Sequence, residues 1–142
     1  MKIEIFLQKI EAELRSIGSV IGADRVHTKA VESFLTSISR EEPLLRKQAA
    51  QLLYLILQGL DLDGSGNNDK RFKASQMADL YDCRICVGAI TFAVENGFME
   101  PRELSLGDGP VDRKLMLFQG NELLTEMDLQ LMIKTFRTMN ET

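Results

Sequence analysis

Apolar residues recur three or four positions apart along the first part of the chain, with polar residues between them. The set comprises Ile3, Phe6, Leu7, Ile10, Leu14, Ile17 and Ile21. This spacing predicts an amphipathic first helix that ends near Gly22. A second helix with a similar apolar face follows, and Asp24 is a suitable N-cap for it.

The stretch after Pro43 predicts a third helix. Proline near the start of a helix and glycine after its end is a common arrangement, and Gly59 follows the last apolar residue. Beyond Gln51 the apolar residues surround nearly the whole helix. A helix of this kind is expected to be buried at the centre of the fold.

The second part of the chain begins with a polar linker, GLDLDGSGNNDKR. The stretch ADLYDCRICVGAITFAVENG then predicts a fourth helix with Ile85 and Phe98 toward the core and Gly97 as C-cap. Residues 101–120 are irregular and form either a wrapping loop or a short strand. The last helix begins at Thr125, because Thr125 and Asp128 have the spacing of a capping box.

These elements predict an all-α fold, a single compact domain of about five helices. Hydrophobic residues make up 44% of the 142 residues and charged residues 27%, which is typical of a globular chain. The domain divides into a first helical half at 1–59, a polar linker at 60–71 and a second half at 72–142.

Two helical stretches align with each other. PLLRKQAAQLLYLI, residues 43–56, matches LLTEMDLQLMIKTF, residues 123–136, so that Leu44 pairs with Leu124 and Leu52 with Met132. Amphipathic helices align easily on periodicity alone. Further residues ahead of the second copy favour an internal repeat.

From Pro43 to Phe136 the chain resembles the S-layer homology repeat, whose pattern is Phe-x-Asp-Val, a helix with a central Ala, a Gly-Ile/Met turn, Phe-x-Pro and a Thr-Arg-Ala-Glu helix start. The matching residues are Phe72, Asp79 within ADL, Ala89, ENGFM at 95–99, Phe118 and LLTEMD at 123–128. The resemblance implies helical units that pack about a pseudo-symmetry axis and bind an acidic cell-wall polysaccharide. It places Arg46 and Asp79 at the family's ligand-binding positions, and Thr125 and Glu126 at the matching helix start.

Departures from that pattern change the expected function. Glu126 occupies the place of the family's arginine, so an anionic polymer would be repelled there. The opening residues lack a continuous apolar stretch and do not form a secretory signal, and no run approaches the roughly 20 apolar residues of a membrane span. We therefore expect a cytoplasmic protein.

The net charge is −4, which provides no electrostatic drive toward DNA or RNA. We expect a non-enzymatic interaction module that binds another protein through Arg46, Asp79, Thr125 and Glu126, with no cofactor. One alternative is a cell-wall polysaccharide anchor. Another is a small acidic inhibitor or immunity-type protein that blocks a larger partner.

The linker contains a partial calcium-binding pattern. Oxygen-bearing side chains follow the spacing of an EF-hand loop at Asp61, Asp63, Ser65, Asn67 and Asp69. The twelfth position, where the strongest carboxylate ligand belongs, is Phe72. We expect calcium binding to be weak or absent and predict no metal site.

Cys83 and Cys86 form a CxxC motif near the start of the fourth helix. No preceding strand supplies a thioredoxin-like setting, and the single histidine, His27, lies on another predicted helix. We expect buried, unreactive thiols in a reducing compartment, with a thiol-redox or metal protein as the competing hypothesis.

Overall fold

The computed structural model describes residues 1–17, 28–38, 41–57, 77–105 and 114–140. Within these ranges there are five α-helices: α1 (Ile3–Ile17), α2 (Lys29–Thr36), α3 (Arg46–Leu57), α4 (Val87–Glu95) and α5 (Glu126–Asn140). Two short 3₁₀ turns, Leu80–Asp82 and Arg84–Cys86, precede α4. The predicted predominance of helix is confirmed.

The first two predicted helices are present, and the start of the second differs from prediction. The apolar face of α1 is buried as the spacing predicts, including Phe6 and Ile10. The predicted end of this helix at Gly22 lies outside the described residues. The described α2 is capped by Thr28 rather than Asp24, because the Thr28 hydroxyl accepts a hydrogen bond from the Val31 N–H at 3.3 Å.

Helix α3 begins three residues later than its proline suggests. Pro43 lies in an isolated β-bridge with Lys2, and Leu45 forms another with Leu123. These pairings keep the chain extended up to Arg46. Gly59, the predicted stop, lies outside the described residues.

Helix α4 is shorter than the predicted fourth helix, since residues 80–86 form the two 3₁₀ turns. Ile85 was expected in the core but is 86% exposed, whereas Phe98 is buried as predicted. Gly97 follows the helix with φ +82°, the left-handed conformation expected of a glycine that terminates a helix.

The irregular segment contains a short antiparallel hairpin, which corrects the purely helical fold class. Strand β1 (Arg102–Ser105) pairs with β2 (Lys114–Leu117), with Arg102 opposite Leu117. The Ala78 N–H donates to the Met116 carbonyl at 2.9 Å. This bond ties the hairpin to the chain just before the 3₁₀ turns.

Packing joins the two predicted halves. Helix α1 packs on α5, and α3 packs on α4. Between these pairs, the Leu124 N–H donates to the Leu44 carbonyl at 2.9 Å, and the Arg46 N–H donates to the Glu122 carbonyl at 2.9 Å. One hydrophobic core therefore contains buried residues of α1, α2, α3, α4 and α5. The predicted linker, 60–71, lies outside the described residues.

Candidate functional site

Arg46 is a buried charge at the junction of three segments. Its side chain is 1% exposed. Nε donates to the Phe118 carbonyl at 2.9 Å, Nη1 to Asp128 Oδ1 at 2.6 Å, and Nη2 to the Glu100 carbonyl at 2.7 Å. The guanidinium carbon also lies 4.9 Å from the centre of the Phe118 ring. Arg46 thus fixes α3 to α5 and to both ends of the hairpin segment.

Burial lowers the pKa of Arg46, and the charge and hydrogen bond of Asp128 act in the opposite direction. Arg102 adds a second cation, with Nη2 lying 3.6 Å from Asp128 Oδ2. A buried guanidinium needs partners such as Asp128 and the two carbonyl oxygens, because leaving its charge unpaired is very costly. Arg46 therefore has a supporting role beneath the surface, and a contact between Arg46 and a binding partner stays a prediction.

Asp79 holds the turn that follows β2. Its two carboxylate oxygens accept hydrogen bonds from the N–H groups of Phe118 at 2.7 Å and Gln119 at 2.8 Å. Gln119 has φ +56°, a left-handed conformation that is uncommon for a residue with a side chain. The two hydrogen bonds stabilise this conformation.

A cleft lies between this turn and the 3₁₀ turns, with a volume of about 140 Å³. Its walls come from α3, the 3₁₀ turns, α4 and the segment after β2; the lining residues are Lys47, Asp79, Asp82, Cys83, Ile90 and 118–122. The walls approach closely at Gly120, where a Cβ atom would lie 3.0 Å from Lys47 Cβ. A side chain at Gly120 would displace Lys47.

The four predicted site residues do not form one surface. Asp79 lines the cleft, and Arg46 lies beneath it. Thr125 forms the predicted capping box, since its hydroxyl accepts from the Asp128 N–H at 3.2 Å and Asp128 Oδ2 accepts from the Thr125 N–H at 3.0 Å. Glu126 is exposed and lies 3.8 Å from Lys9 of α1. Neither Thr125 nor Glu126 lines the cleft.

Cys83 and Cys86 are joined by a disulfide bond, which corrects the expectation of free, buried thiols. Cys86 is buried, as predicted, but Cys83 is only partly buried and faces the cleft. The bond joins residues three positions apart and closes the second 3₁₀ turn, Arg84–Cys86. It also removes the argument that the cysteine content favours a reducing compartment.

The predicted calcium ligands from Asp61 to Asp69 lie outside the described residues. In the part of the chain that is described, no three His, Cys, Asp or Glu side chains are grouped so that they could hold a metal ion. No helix in that part is long and apolar enough to span a bilayer.

The Asp79 contacts allow a direct test. Replacing Asp79 by asparagine should lower the free energy of unfolding by about 1–3 kcal/mol, because an amide offers one acceptor oxygen where two N–H groups need acceptors. Urea unfolding followed by circular dichroism measures the change. Asp82→Asn is the matched control, since Asp82 lines the same cleft but is exposed. Equal stability of the two variants would contradict the assigned role of Asp79.

Comparison with protein-family models, with curated proteins and with solved structures found no match to this chain.

Proposed function

We propose that this protein is a non-catalytic interaction module that binds another protein at the cleft, on a scaffold of two S-layer-homology-like helical units. The observation that carries the proposal is the exposure of two large apolar side chains on the segment that contributes Asp82 and Cys83 to the cleft wall. Tyr81 is 73% exposed and Ile85 is 86% exposed. Tyr81 precedes the cleft residues Asp82 and Cys83, and Ile85 lies between Cys83 and Cys86, within the turn that the disulfide closes.

The two-unit scaffold is supported by a constant spacing of 80 residues, the spacing between Leu44 and Leu124. At this spacing α3 corresponds to α5, and α1 corresponds to the turn and helix from Cys83 to Glu95. Buried positions coincide in both comparisons: Phe6 with Cys86, Ile10 with Ile90, Leu14 with Val94, Ala49 with Leu129, Leu52 with Met132, and Ile56 with Phe136.

The starts of α3 and α5 support the same correspondence between the two units. The Leu45 N–H donates to Gln48 Oε1 at 2.9 Å, and at the same spacing the Thr125 N–H donates to Asp128 Oδ2 at 3.0 Å. Helix α3 of the first unit packs on α4 of the second unit, and α5 of the second unit packs on α1 of the first. These reciprocal contacts are those expected of two similar units around a two-fold axis.

The exposed residues favour a protein partner. Tyrosine is enriched in protein interfaces, where its ring supplies contact area and its hydroxyl a hydrogen bond. The covalent closure of the turn restricts its motion, so less conformational entropy is lost on binding. Ile85, which lies within this turn, can therefore contribute contact area at a low entropic cost, and Tyr81 lies two residues before Cys83.

The charges of the cleft define the chemistry of the partner. Asp79, Asp82 and Glu122 are acidic and Lys47 is basic, so carboxylates are in excess. A segment that carries an apolar residue beside a lysine or arginine complements this surface. The polysaccharide alternative loses its main support, because Arg46, the residue at the family's ligand-binding position, is buried.

The test compares the wild-type chain with a Tyr81→Ser/Ile85→Ser variant as immobilised bait in native lysate. A protein retained by the wild type should be lost from the double variant, and its affinity, measured by calorimetry after purification, should fall by at least about tenfold. Met127→Ser is the matched control, since Met127 is 79% exposed and belongs to α5, a helix that contributes no residue to the cleft.

Circular dichroism must first show that both variants keep the wild-type fold. Equal retention by the wild type and the double variant would contradict a binding surface at Tyr81 and Ile85. Binding of purified cell-wall polymer, with no retained protein, would favour the polysaccharide anchor instead. An enzyme that is inhibited by the purified wild type but not by the double variant would assign the inhibitor role to the same surface.

A further inference from the structure

The disulfide is asymmetric in its access to solvent. Cys83 is partly buried and contributes to the wall of the open cleft, whereas Cys86 is 1% exposed and belongs to the core. These are the two cysteines of the chain. Cys83 is therefore the cysteine that an external thiol meets at the cleft wall, whereas Cys86 lies among buried apolar side chains.

We propose that the Cys83–Cys86 bond is a reversible thiol–disulfide exchange site that accepts electrons from an external dithiol through the cleft. Cys83 is the sulfur that is attacked, and Cys86 is the leaving group. The co-reactant is a dithiol, either a small molecule or a protein with paired cysteines.

The exchange has two balanced steps. In the first, a thiolate of the dithiol bonds to Cys83 Sγ, the Cys83–Cys86 bond breaks, and its electron pair leaves on Cys86. In the second, the other thiolate of the dithiol attacks its own partner sulfur in the mixed disulfide and releases Cys83. The dithiol becomes a disulfide, and its two protons end on Cys83 and Cys86. The reverse sequence restores the protein disulfide.

The position of Cys86 favours its role as leaving group. It is the residue immediately before α4, at the N-terminal end of a nine-residue helix. The helix dipole stabilises negative charge at such an end, which makes a thiolate a better leaving group. Arg84 lies on the turn between the two cysteines and adds positive charge. Asp82, which precedes Cys83, carries a negative charge, in contrast to the positive charge of Arg84.

The geometry around Cys83 favours its role as the attacked sulfur. The cleft places Lys47 and residues 118–122 around the approach to Cys83. Lys47 attracts an incoming thiolate, while Asp79 already accepts two backbone hydrogen bonds. The cleft also contains the carboxylates of Asp82 and Glu122 and the apolar residues Ile90 and Phe118, so Lys47 is the lining group that favours an approaching thiolate.

The first test uses the wild-type chain without mutation. Dithiothreitol should reduce the disulfide while circular dichroism keeps its native spectrum. After removal of the reductant, a brief pulse of iodoacetamide should label Cys83 at least about tenfold faster than Cys86, as measured by peptide mass spectrometry, because access controls the rate. A bond that is reduced only after unfolding would overturn the proposal. Equal labelling, or faster labelling of Cys86, would overturn the assigned roles.

The second test uses single variants and glutathione disulfide as the probe. Cys86→Ser leaves the accessible sulfur, and this variant should form a mixed disulfide with glutathione at least about tenfold faster than Cys83→Ser. The ratio of the two rates is interpreted only if both variants keep the wild-type circular dichroism spectrum. If either variant loses it, the labelling of the wild-type chain decides whether Cys83 is the attacked sulfur. A ratio near one would contradict attack through the cleft.

Discussion

Replacing Arg46 by alanine should lower the free energy of unfolding by about 3–5 kcal/mol, the usual cost of breaking a buried ion pair from one side. The change removes three hydrogen bonds that join α3 to Asp128 and to the Phe118 and Glu100 carbonyls. It also leaves the Asp128 carboxylate partly buried without its closest cation. Urea unfolding measures the loss.

Arg15 supplies the matched control for this prediction. It also pairs with a carboxylate, Glu11, at 2.7 Å, but its side chain is 71% exposed. Arg15→Ala should change stability by no more than about 0.5 kcal/mol, because solvent screens exposed pairs. Similar losses in the two variants would refute the supporting role of Arg46. Arg46→Lys should recover only part of the loss, since an ammonium cannot reproduce the planar set of donors.

Replacing Phe136 by alanine should cost about 3–5 kcal/mol, the range for truncating a buried phenylalanine. Phe136 is fully buried, and its ring centre lies 5.0 Å from that of Phe98. Phe98 in turn stacks on Phe92, which contacts Tyr54 of α3 at 5.5 Å. The ring therefore ends a row of aromatic contacts that runs from α3 through α4 to α5.

Phe136→Leu tests whether the loss comes from the cavity. Leucine fills much of the space and keeps the apolar contact, so its effect should be well below that of alanine. Denaturant unfolding with an unchanged m-value measures both variants. A loss for alanine below about 1 kcal/mol would contradict the central position of Phe136 in the core.

The helices could be predicted where a periodic apolar face packs on a neighbour. This holds for α1, where Ile3 to Leu14 follow the helical period, and for the capping box at Thr125, which depends on residues three positions apart. Such signals are local, so the sequence contains them directly. The spacing between Leu44 and Leu124 predicts a correspondence between α3 and α5.

Ile85 was assigned to the core because the helical period was extended through residues 80–86. In the structure the disulfide closes that turn, the period is interrupted, and Ile85 points to solvent. The cysteine spacing was visible in the sequence, but whether the two sulfurs are joined was not. The exposed pair Tyr81 and Ile85 was missed for the same reason.

The cleft could not be predicted because it depends on contacts between distant residues. The Asp79 carboxylate binds N–H groups 39 and 40 positions away. No periodic pattern marks such a contact. The resemblance to the S-layer homology repeat did select Asp79 and Arg46, but it suggested ligand contacts where the structure has internal hydrogen bonds.

The pairing of Leu45 with Leu123 has a consequence for folding during synthesis. The extended segment before α3 and the α1 face that packs on α5 both find their partners in the last part of the chain. A ribosome that has made only the first hundred or so residues therefore carries an incomplete core with apolar surface in contact with water. Closing such long loops is entropically expensive and slows folding. We expect chaperones to bind this exposed surface of the nascent chain until α5 emerges.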